Sequence, residues 1–180
     1  MGSLKLTTAS SGSVILSPAN TASDVTITVP AVTGTMATIG PAFSAYLSAP
    51  QTLSNATGTV VQNNLENFDT ASCYDTSTYR FTPNVAGYYQ VTMATNGPAS
   101  TSGQIAVNLY KNGSAYQQGN AIPNASFGAN ATGSYLIYLN GSTDYITMVA
   151  LQTTGGSASI YGSSSGIQYT YFSAALVRAA

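Results

Sequence analysis

The stretch Arg80–Met93, with the sequence RFTPNVAGYYQVTM, most constrains what this chain can fold into. Pro83 has no amide proton, so it cannot sit in the middle of a sheet and the chain must turn there. Gly87 follows, and glycine enters positive-φ conformations at little cost. Beyond Gly87, Tyr89 and every second residue up to Met93 point one way, and the residues between them point the other. The pattern predicts a strand, a turn and a second strand with one face on an apolar core.

The composition of the chain indicates a domain with an unusually uncharged surface. Its 180 residues suffice for one domain with a proper core and a short additional segment. Hydrophobic residues make up 44% of the chain, but charged residues make up only 5%, against about 25% in a typical soluble domain. Since solubility usually depends on charge, we expect other copies of the chain to cover part of the apolar surface.

The few charged side chains exclude several kinds of partner. The net charge is −1, and the four basic residues are scattered along the chain instead of forming the basic stripe of a nucleic-acid binder. No polybasic cluster suits an anionic membrane surface, and no apolar run approaches the ~18 residues of a membrane span. The first residues also lack the apolar segment of a signal peptide. We therefore expect neither nucleic-acid binding nor membrane insertion, and assembly without secretion.

The chain also lacks the usual means of catalysis. It contains no histidine, which excludes Ser-His-Asp and Cys-His nucleophilic sites. Cys73 is the only cysteine, so neither an intrachain disulfide nor a His/Cys zinc site can form. Asp69 and Asp75 could approach one another as a glycosidase needs, but aspartates in turns usually cap backbone N–H groups. The sequence predicts that the protein is not an enzyme.

Residues 1–40 differ from the rest of the chain. They contain three short β-prone runs, each ending near a Pro-Ala pair: Ser13–Ser17, Asp24–Val29 and Thr35–Ile39. So short a segment cannot bury both sides of its strands alone. We predict a β-rich N-terminal arm over 1–40 that packs on the main domain, on sister chains or on a larger assembly, and a separate head over 41–180.

Within the head, hydrophobic alternation predicts a series of strands. Phe43, Ala45 and Leu47 share one face, and the turn Lys111–Gly113 closes a hairpin because Asn-Gly favours positive φ. Three polar stretches are expected to be connections or loops: Gln51–Thr59, Gly119–Gly133 and Gly155–Gly166.

Three of the later predicted strands are apolar or aromatic on both faces. They are the runs Tyr135–Leu139, Tyr145–Leu151 and Ile167–Val177. An antiparallel strand with one solvated face should alternate cleanly between apolar and polar residues. We therefore expect one side of these strands to pack the core and the other to meet something else.

Six segments in order resemble the globular heads of the complement component 1q family, within the tumour-necrosis-factor-like jelly rolls. Besides Arg80–Met93, the segments are Pro41–Leu47, Phe68–Asp69 with Tyr74–Asp75, Leu109–Gly113, Leu139–Ile146 and Tyr171–Val177. The resemblance covers about Pro41 to Ala180. At one position the chain departs from the pattern, because Tyr79 stands where many relatives have glycine.

This resemblance implies an all-β antiparallel jelly-roll sandwich that forms a homotrimer about a three-fold axis. Tyrosine suits the seam of such a trimer, because its ring buries area while its hydroxyl finds a partner. The candidate seam residues are Tyr135, Tyr138, Tyr145, Tyr169, Tyr171 and Phe172. Some relatives bind calcium near the axis, and the resemblance leaves that open here with Asp69 and Asp75 as candidate ligands. No other cofactor is expected.

Residues 12–38 resemble a segment that recurs in phage tail-fibre and other virion appendage proteins, ahead of a C-terminal head. The plain alternative is a β-rich leader with no such role. Together with the head, the resemblance implies a non-enzymatic phage virion protein, either a short tail fibre or receptor-binding tip or a capsid decoration protein. Its partners would be other virion proteins, through the arm, and a host-surface glycan or protein. A secreted ligand- or carbohydrate-binding head is the alternative function.

Overall fold

The computed structural model describes residues 4–7, 13–16, 40–97, 103–123 and 129–180, all of them in strands, turns or irregular segments. The chain divides into two units, Met1–Gly34 and Thr35–Ala180. In the first unit, strands β1 (Leu4–Thr7) and β2 (Ser13–Leu16) form an antiparallel hairpin. The strand predicted from Ser13 is therefore present. The runs predicted at 24–29 and 35–39 lie outside the described residues, and the arm-and-head division at residue 40 stays a prediction.

In the described part of the second unit, the strands are joined by turns and irregular segments. In chain order they are β3 (Ala42–Tyr46), β4 (Gln51–Leu53), β5 (Thr59–Val60), β6 (Leu65–Asp69), β7 (Tyr74–Asp75), β8 (Arg80–Phe81), β9 (Gly87–Gly97), β10 (Gln104–Lys111), β11 (Ser114–Pro123), β12 (Ala129–Leu139), β13 (Ile146–Gln152), β14 (Ala158–Ile160), β15 (Ser163–Ser164), β16 (Ile167–Gln168) and β17 (Tyr171–Ala179).

These strands form two main sheets. The five-stranded sheet has the order β12-β9-β17-β3-β6. The six-stranded sheet has the order β11-β10-β13-β8-β7, with β5 also paired to β13. Two small pairs, β4 with β14 and β15 with β16, lie beside them. Every pairing between these strands is antiparallel, and the predicted all-β sandwich is confirmed.

The core between the sheets is built by the alternation seen in the sequence. Tyr89, Val91 and Met93 of β9 are fully buried, as are Val107 and Leu109 of β10. Side chains on one face of a strand recur every two residues, so each strand contributes every second residue to the core. The predicted inward faces of both strands are confirmed.

An aromatic cluster links strands from both sheets. The ring of Phe43 stacks on Tyr74 and on Phe81, with ring centroids 4.6 Å apart in each pair. Phe172 meets Phe43 edge-on at 5.0 Å, and Tyr89 meets Phe81 edge-on at 5.5 Å. Aromatic pairs at such spacings add about 0.5–1.5 kcal/mol each beyond the area they bury. The cluster therefore helps to fix how the two sheets face each other.

The stretch Arg80–Met93 carries the chain from one sheet to the other, as its strand-turn-strand pattern predicted. The explanation for Gly87 was wrong, because this residue does not adopt positive φ. A Cβ there would lie 2.4 Å from the backbone oxygen of Arg178, so glycine is needed for close packing. Tyr79 does adopt positive φ, at 59°, the conformation for which related chains use glycine.

The three stretches predicted as loops contain strands at the described positions. Gln51–Leu53 pairs with Ala158–Ile160, and β11 and β12 extend to Pro123 and from Ala129. Their Ser, Asn and Gly residues suggested loops, but at the edges of a sandwich a strand needs few apolar side chains to pair through its backbone. The Lys111–Gly113 hairpin is confirmed, with Asn112 at φ 52° and Gly113 at φ 80°.

Candidate subunit interface

The outer face of the five-stranded sheet carries large apolar side chains that the described residues leave exposed. In β12, Leu136 is 57% exposed and Tyr138 is 42% exposed, while their neighbours Ile137 and Leu139 are buried. Tyr138 stands directly opposite Tyr88 of β9, and their rings meet edge-on at 5.6 Å. Alternation thus places one set of apolar residues in the core and a second set in solvent.

The same face continues across the rest of the sheet. Tyr171 of β17 lies opposite Tyr46 of β3. At the edge, Phe68 of β6 lies opposite Ser44 and is half exposed. We call this surface the bare face, and its members are Tyr46, Leu65, Phe68, Tyr88, Leu136, Tyr138, Tyr171 and Val177. Polar residues such as Thr92 and Ser173 lie between its two apolar ends. So many exposed apolar side chains on one face mark an interaction site in soluble proteins.

The bare face carries few charges, although Arg178 pairs with Tyr88 and Lys111 Nζ lies 5.9 Å from the centre of the Tyr138 ring. The three strands β12, β9 and β17 contain one charged residue between them, Arg178, near the end of β17. Charged side chains are depleted at the centres of protein interfaces, where tyrosine and other aromatic residues are enriched. The composition of the bare face therefore resembles the centre of an interface between subunits.

The outer face of the six-stranded sheet differs, because the chain covers its centre. Thr147 and Val149 of β13 point outward yet are buried. Gly58 and its neighbours lie over Val149, and the Val61 N–H donates to the Met148 carbonyl oxygen at 2.9 Å. The guanidinium of Arg80 lies 4.3 Å from the centre of the Tyr145 ring, an attractive cation–π geometry.

An ion pair connects the hairpin of the six-stranded sheet to the five-stranded sheet. Lys111 Nζ lies 2.8 Å from Asp144 Oδ2 and donates to the Tyr138 carbonyl oxygen at 2.9 Å. Asn112 Nδ2 donates to Asp144 Oδ1 at 2.8 Å. The hydrogen bond from Asn112, followed by that from Lys111, lowers the pKa of Asp144 below its ordinary value. These contacts hold the turn before β13 against the β10–β11 hairpin.

The structure distributes the six predicted seam residues over different surroundings. Tyr138 and Tyr171 lie on the bare face, and Tyr169 lies just beyond it. Phe172 is fully buried in the core of its own protomer, so its side chain has no surface left for a partner. The ring of Tyr135 packs against that core, and burial raises the pKa of its hydroxyl. Tyr145 stacks with Arg80 on the other sheet.

Sequence reasoning did not single out Tyr88, Leu136 and Phe68, which stand on the bare face. For the first two, the signal was present, because Tyr88 alternates with the buried Tyr89, and Leu136 alternates with the buried Ile137. The predicted seam included aromatic residues from both faces of a strand. Because successive side chains point to opposite faces, only every second residue belongs to one surface.

The two carboxylates considered for calcium or catalysis are engaged in local turns. Asp69 accepts hydrogen bonds from the backbone N–H groups of Ala71 and Tyr74. Asp75 accepts from the backbone and hydroxyl groups of Ser77 and Thr78, which lower its pKa to about 2. In the described parts of the chain, no three acidic, cysteine or histidine side chains come together. Both carboxylates thus accept hydrogen bonds within their own turns, and a calcium site shared by three subunits, with six to eight oxygens around the ion, stays a prediction.

Fold and bare face together define a jelly-roll domain of the complement 1q and tumour-necrosis-factor type. The family model for the C1q domain matches residues 42–177. The chain therefore belongs to the C1q domain family. Domains of this class are typically trimeric, non-enzymatic binding or structural modules, and they are typically extracellular or secreted.

Solved structures share the fold at low sequence identity. The globular domain of the zebrafish complement 1qA protein is 17% identical, with a TM-score of 0.59 over 78% of this chain and 99% of that one. The vertex protein P5 of the phage PRD1 is 20% identical, with a TM-score of 0.59 over 79% of this chain and 100% of that one. Murine APRIL is 12% identical, with a TM-score of 0.53 over 76% of this chain and 98% of that one.

No curated protein matches the chain in sequence. Within the described residues, no helix has the length and hydrophobicity needed to cross a membrane.

Proposed function

We propose that the protein is a non-enzymatic structural protein of a phage virion that forms a homotrimer on the particle surface. Residues 1–40 form the arm that attaches to other virion proteins, and residues 41–180 form the head that projects. The head acts as a short tail fibre or receptor-binding tip, or as a capsid decoration protein at a site of three-fold symmetry.

The bare face is the main observation in support of a trimer. Its apolar residues extend across the sheet, from Leu65 and Phe68 at one edge to Leu136 and Tyr138 at the other. Only 5% of the residues are charged, so the chain has few charged groups to keep a monomer with such a surface soluble. Burying an apolar side chain of this size contributes roughly 1.5–3 kcal/mol, so burial of several in each subunit stabilises an assembly. Trimerisation is also typical of the family.

Two further observations support a structural role in a phage virion. The segment 12–38 resembles the leader of phage appendage proteins, and the vertex protein of PRD1 shares the fold along its whole length. The proposal also fits the absence of histidine and the local turn roles of Asp69 and Asp75, since a structural protein needs no catalytic group.

Immunoelectron microscopy of purified phage particles tests the proposal. We expect antibody against the head to label intact particles, at the tail for a fibre or tip and at the capsid for a decoration protein. Antibody that labels no particle, with the protein recovered only as free trimer in the surrounding medium, would favour the secreted ligand-binding head. This alternative is supported by the location of the family, whose domains are typically extracellular or secreted.

A further inference from the structure

A cavity of about 480 Å³ lies at one end of the five-stranded sheet, where β9 ends and β17 begins. Small-molecule sites usually occupy roughly 300–1,000 Å³ and combine apolar walls with a few placed polar groups. Seven residues line this cavity: Pro50, Asn96, Tyr161, Gly162, Ser163, Ser164 and Tyr169. None of them carries a charge, so the cavity suits a neutral ligand.

Two tyrosine rings form adjoining walls of the cavity. The ring centroids of Tyr161 and Tyr169 lie 6.3 Å apart, with the ring planes 74° from parallel. Tyr161 is 39% exposed, so part of its ring is open to a ligand. An aromatic ring accepts the apolar C–H face of a sugar, and its hydroxyl stays available for hydrogen bonding. Because the two rings are nearly at right angles, a pyranose can stack on the face of one ring while its edge contacts the other.

The polar groups of the cavity complement the rings. The Asn96 side chain offers both a donor and an acceptor, and the hydroxyls of Ser163 and Ser164 can each act as either. A sugar hydroxyl likewise donates and accepts, so uncharged amide and hydroxyl groups match it. Burying a neutral ligand here leaves no side-chain charge without a partner.

The backbone around the cavity is held in place by two hydrogen bonds and one close backbone contact. The Tyr161 N–H donates to the Asn96 carbonyl oxygen, and the Ser163 N–H donates to the Leu47 carbonyl oxygen, each at 2.8 Å. A Cβ on Gly162 would lie 2.5 Å from the backbone of Ala49, so only glycine lets this segment pack so closely. A preformed wall reduces the entropy lost on binding.

The hairpin beside the cavity is equally well defined. Strands β15 and β16 are joined by Ser165 and Gly166, both at positive φ, as in a two-residue type I′ turn. Gln168 and Asn67 exchange side-chain hydrogen bonds at 2.7 and 3.0 Å, which attach the hairpin to β6. Ser163 and Ser164 therefore sit on a fixed hairpin instead of a mobile loop.

The cavity lies at the end of the sandwich away from the point where the chain enters. The Leu176 N–H donates to the Pro41 carbonyl oxygen, so the C-terminal end of β17 lies beside the start of β3. Asn96 lies nine residues beyond Gly87 along β9, roughly 30 Å at the usual rise of a strand. The cavity is therefore at the opposite end of β9 from Gly87.

From this geometry we infer that the cavity is a binding site for a neutral saccharide, a hexose or N-acetylhexosamine unit of a glycan. The inference deepens the proposed function, on which it rests, because a receptor-binding tip on a particle needs a site for a host-surface glycan. Tyr161 and Tyr169 supply the stacking surfaces, and Asn96, Ser163 and Ser164 supply the hydrogen bonds.

Saturation-transfer NMR on the purified full chain tests the inference. The probes are the methyl glycosides of glucose, galactose, mannose, N-acetylglucosamine and N-acetylgalactosamine. We expect at least one to receive saturation from the protein, with a millimolar dissociation constant that Tyr161→Ala weakens at least tenfold. Tyr161→Phe keeps the ring and should keep most of the binding. Tyr116→Ala removes another exposed tyrosine, on the six-stranded sheet, and should leave binding unchanged.

Absence of transfer to all five probes overturns the inference, as does equal loss of binding in Tyr161→Ala and Tyr116→Ala. Circular dichroism of each variant shows whether it is folded. The mass of the same samples in solution separates the two proposals. A monomer that binds sugar contradicts the trimer but keeps the site, and a trimer that binds none of the probes contradicts the site but keeps the trimer.

Discussion

The two sheets of this sandwich have the same kind of inner face and very different outer faces. The outer face of the six-stranded sheet has its centre, Thr147 and Val149, covered by the protein's own chain. The outer face of the five-stranded sheet leaves Tyr88, Leu136 and Tyr138 largely exposed among the described residues. A sheet covered by its own chain needs no partner, whereas an apolar face left bare does. The difference therefore indicates which side of the head a second subunit meets.

A charge placed on each outer face gives the largest expected contrast. In Leu136→Glu, a carboxylate on the bare face would be buried at the subunit contact without a partner, which costs several kcal/mol. We expect the variant to be monomeric at micromolar concentration in sedimentation velocity. Tyr116→Glu is the matched control, because Tyr116 is 49% exposed on β11 of the other sheet and should tolerate the charge. A monomeric Tyr116→Glu beside a trimeric Leu136→Glu would reverse our assignment of the faces.

Two neighbouring residues of β17 test the same contrast within one strand. Phe172 points into the core, and its replacement by alanine should lower the free energy of unfolding by about 3–5 kcal/mol. Tyr171 points to the bare face, so Tyr171→Ala should weaken association and leave the folded protomer intact.

Thermal unfolding followed by circular dichroism, at protein concentrations a hundredfold apart, distinguishes the two effects. Phe172→Ala should unfold earlier at both concentrations. The unfolding temperature of Tyr171→Ala should fall mainly at the lower protein concentration, because dilution favours the dissociated form. A Phe172→Ala variant as stable as the wild type would show that the core is built differently.

The alternation of residues made much of this fold predictable. The inward faces of β9 and β10 and the Asn112–Gly113 turn follow from period-two patterns and turn chemistry. The antiparallel jelly-roll sandwich was implied by the family resemblance. The small strands β4 and β14 did not follow, since their Gln, Thr and Ser residues favour a loop when read alone. Pairing between these two distant segments makes them strands.

The bare face was only partly predictable for a related reason. The two-sided apolar character of β12 and β17 was evident, and it indicated that something covers one side. Which side was not settled by counting tyrosines, and Phe172 and Tyr171 were placed in one group although they point in opposite directions. Pairing across the sheet, such as Tyr88 with Tyr138, is what collects residues far apart in sequence into one surface.

The smallest expected effect concerns the ion pair on the six-stranded side. Asp144→Asn removes a charge that accepts hydrogen bonds from Asn112, Lys111 and the backbone of Asn140. We expect a loss of about 1–2 kcal/mol in the free energy of unfolding at pH 7, for a partly exposed group. Glu66→Gln, at the exposed edge of the other sheet, is the control and should change stability by less than about 0.5 kcal/mol.

The pH dependence of this effect has a definite sign. Because the folded protein holds the pKa of Asp144 below its ordinary value of 3.8, the stabilisation is complete above that pH. It declines as the pH falls through the lowered pKa, since the folded carboxylate must then take up a proton. The stability difference between the wild type and Asp144→Asn should therefore shrink below about pH 4. A difference that grows in acid would contradict the geometry of this ion pair.

The mass of the full chain in dilute solution tests the central claim most directly. Sedimentation equilibrium at micromolar concentration should give three times the 18.4 kDa of one chain, because the bare face is then buried between subunits. A single species of 18.4 kDa at that concentration, with Tyr88, Leu136 and Tyr138 still exposed to water, would contradict the account.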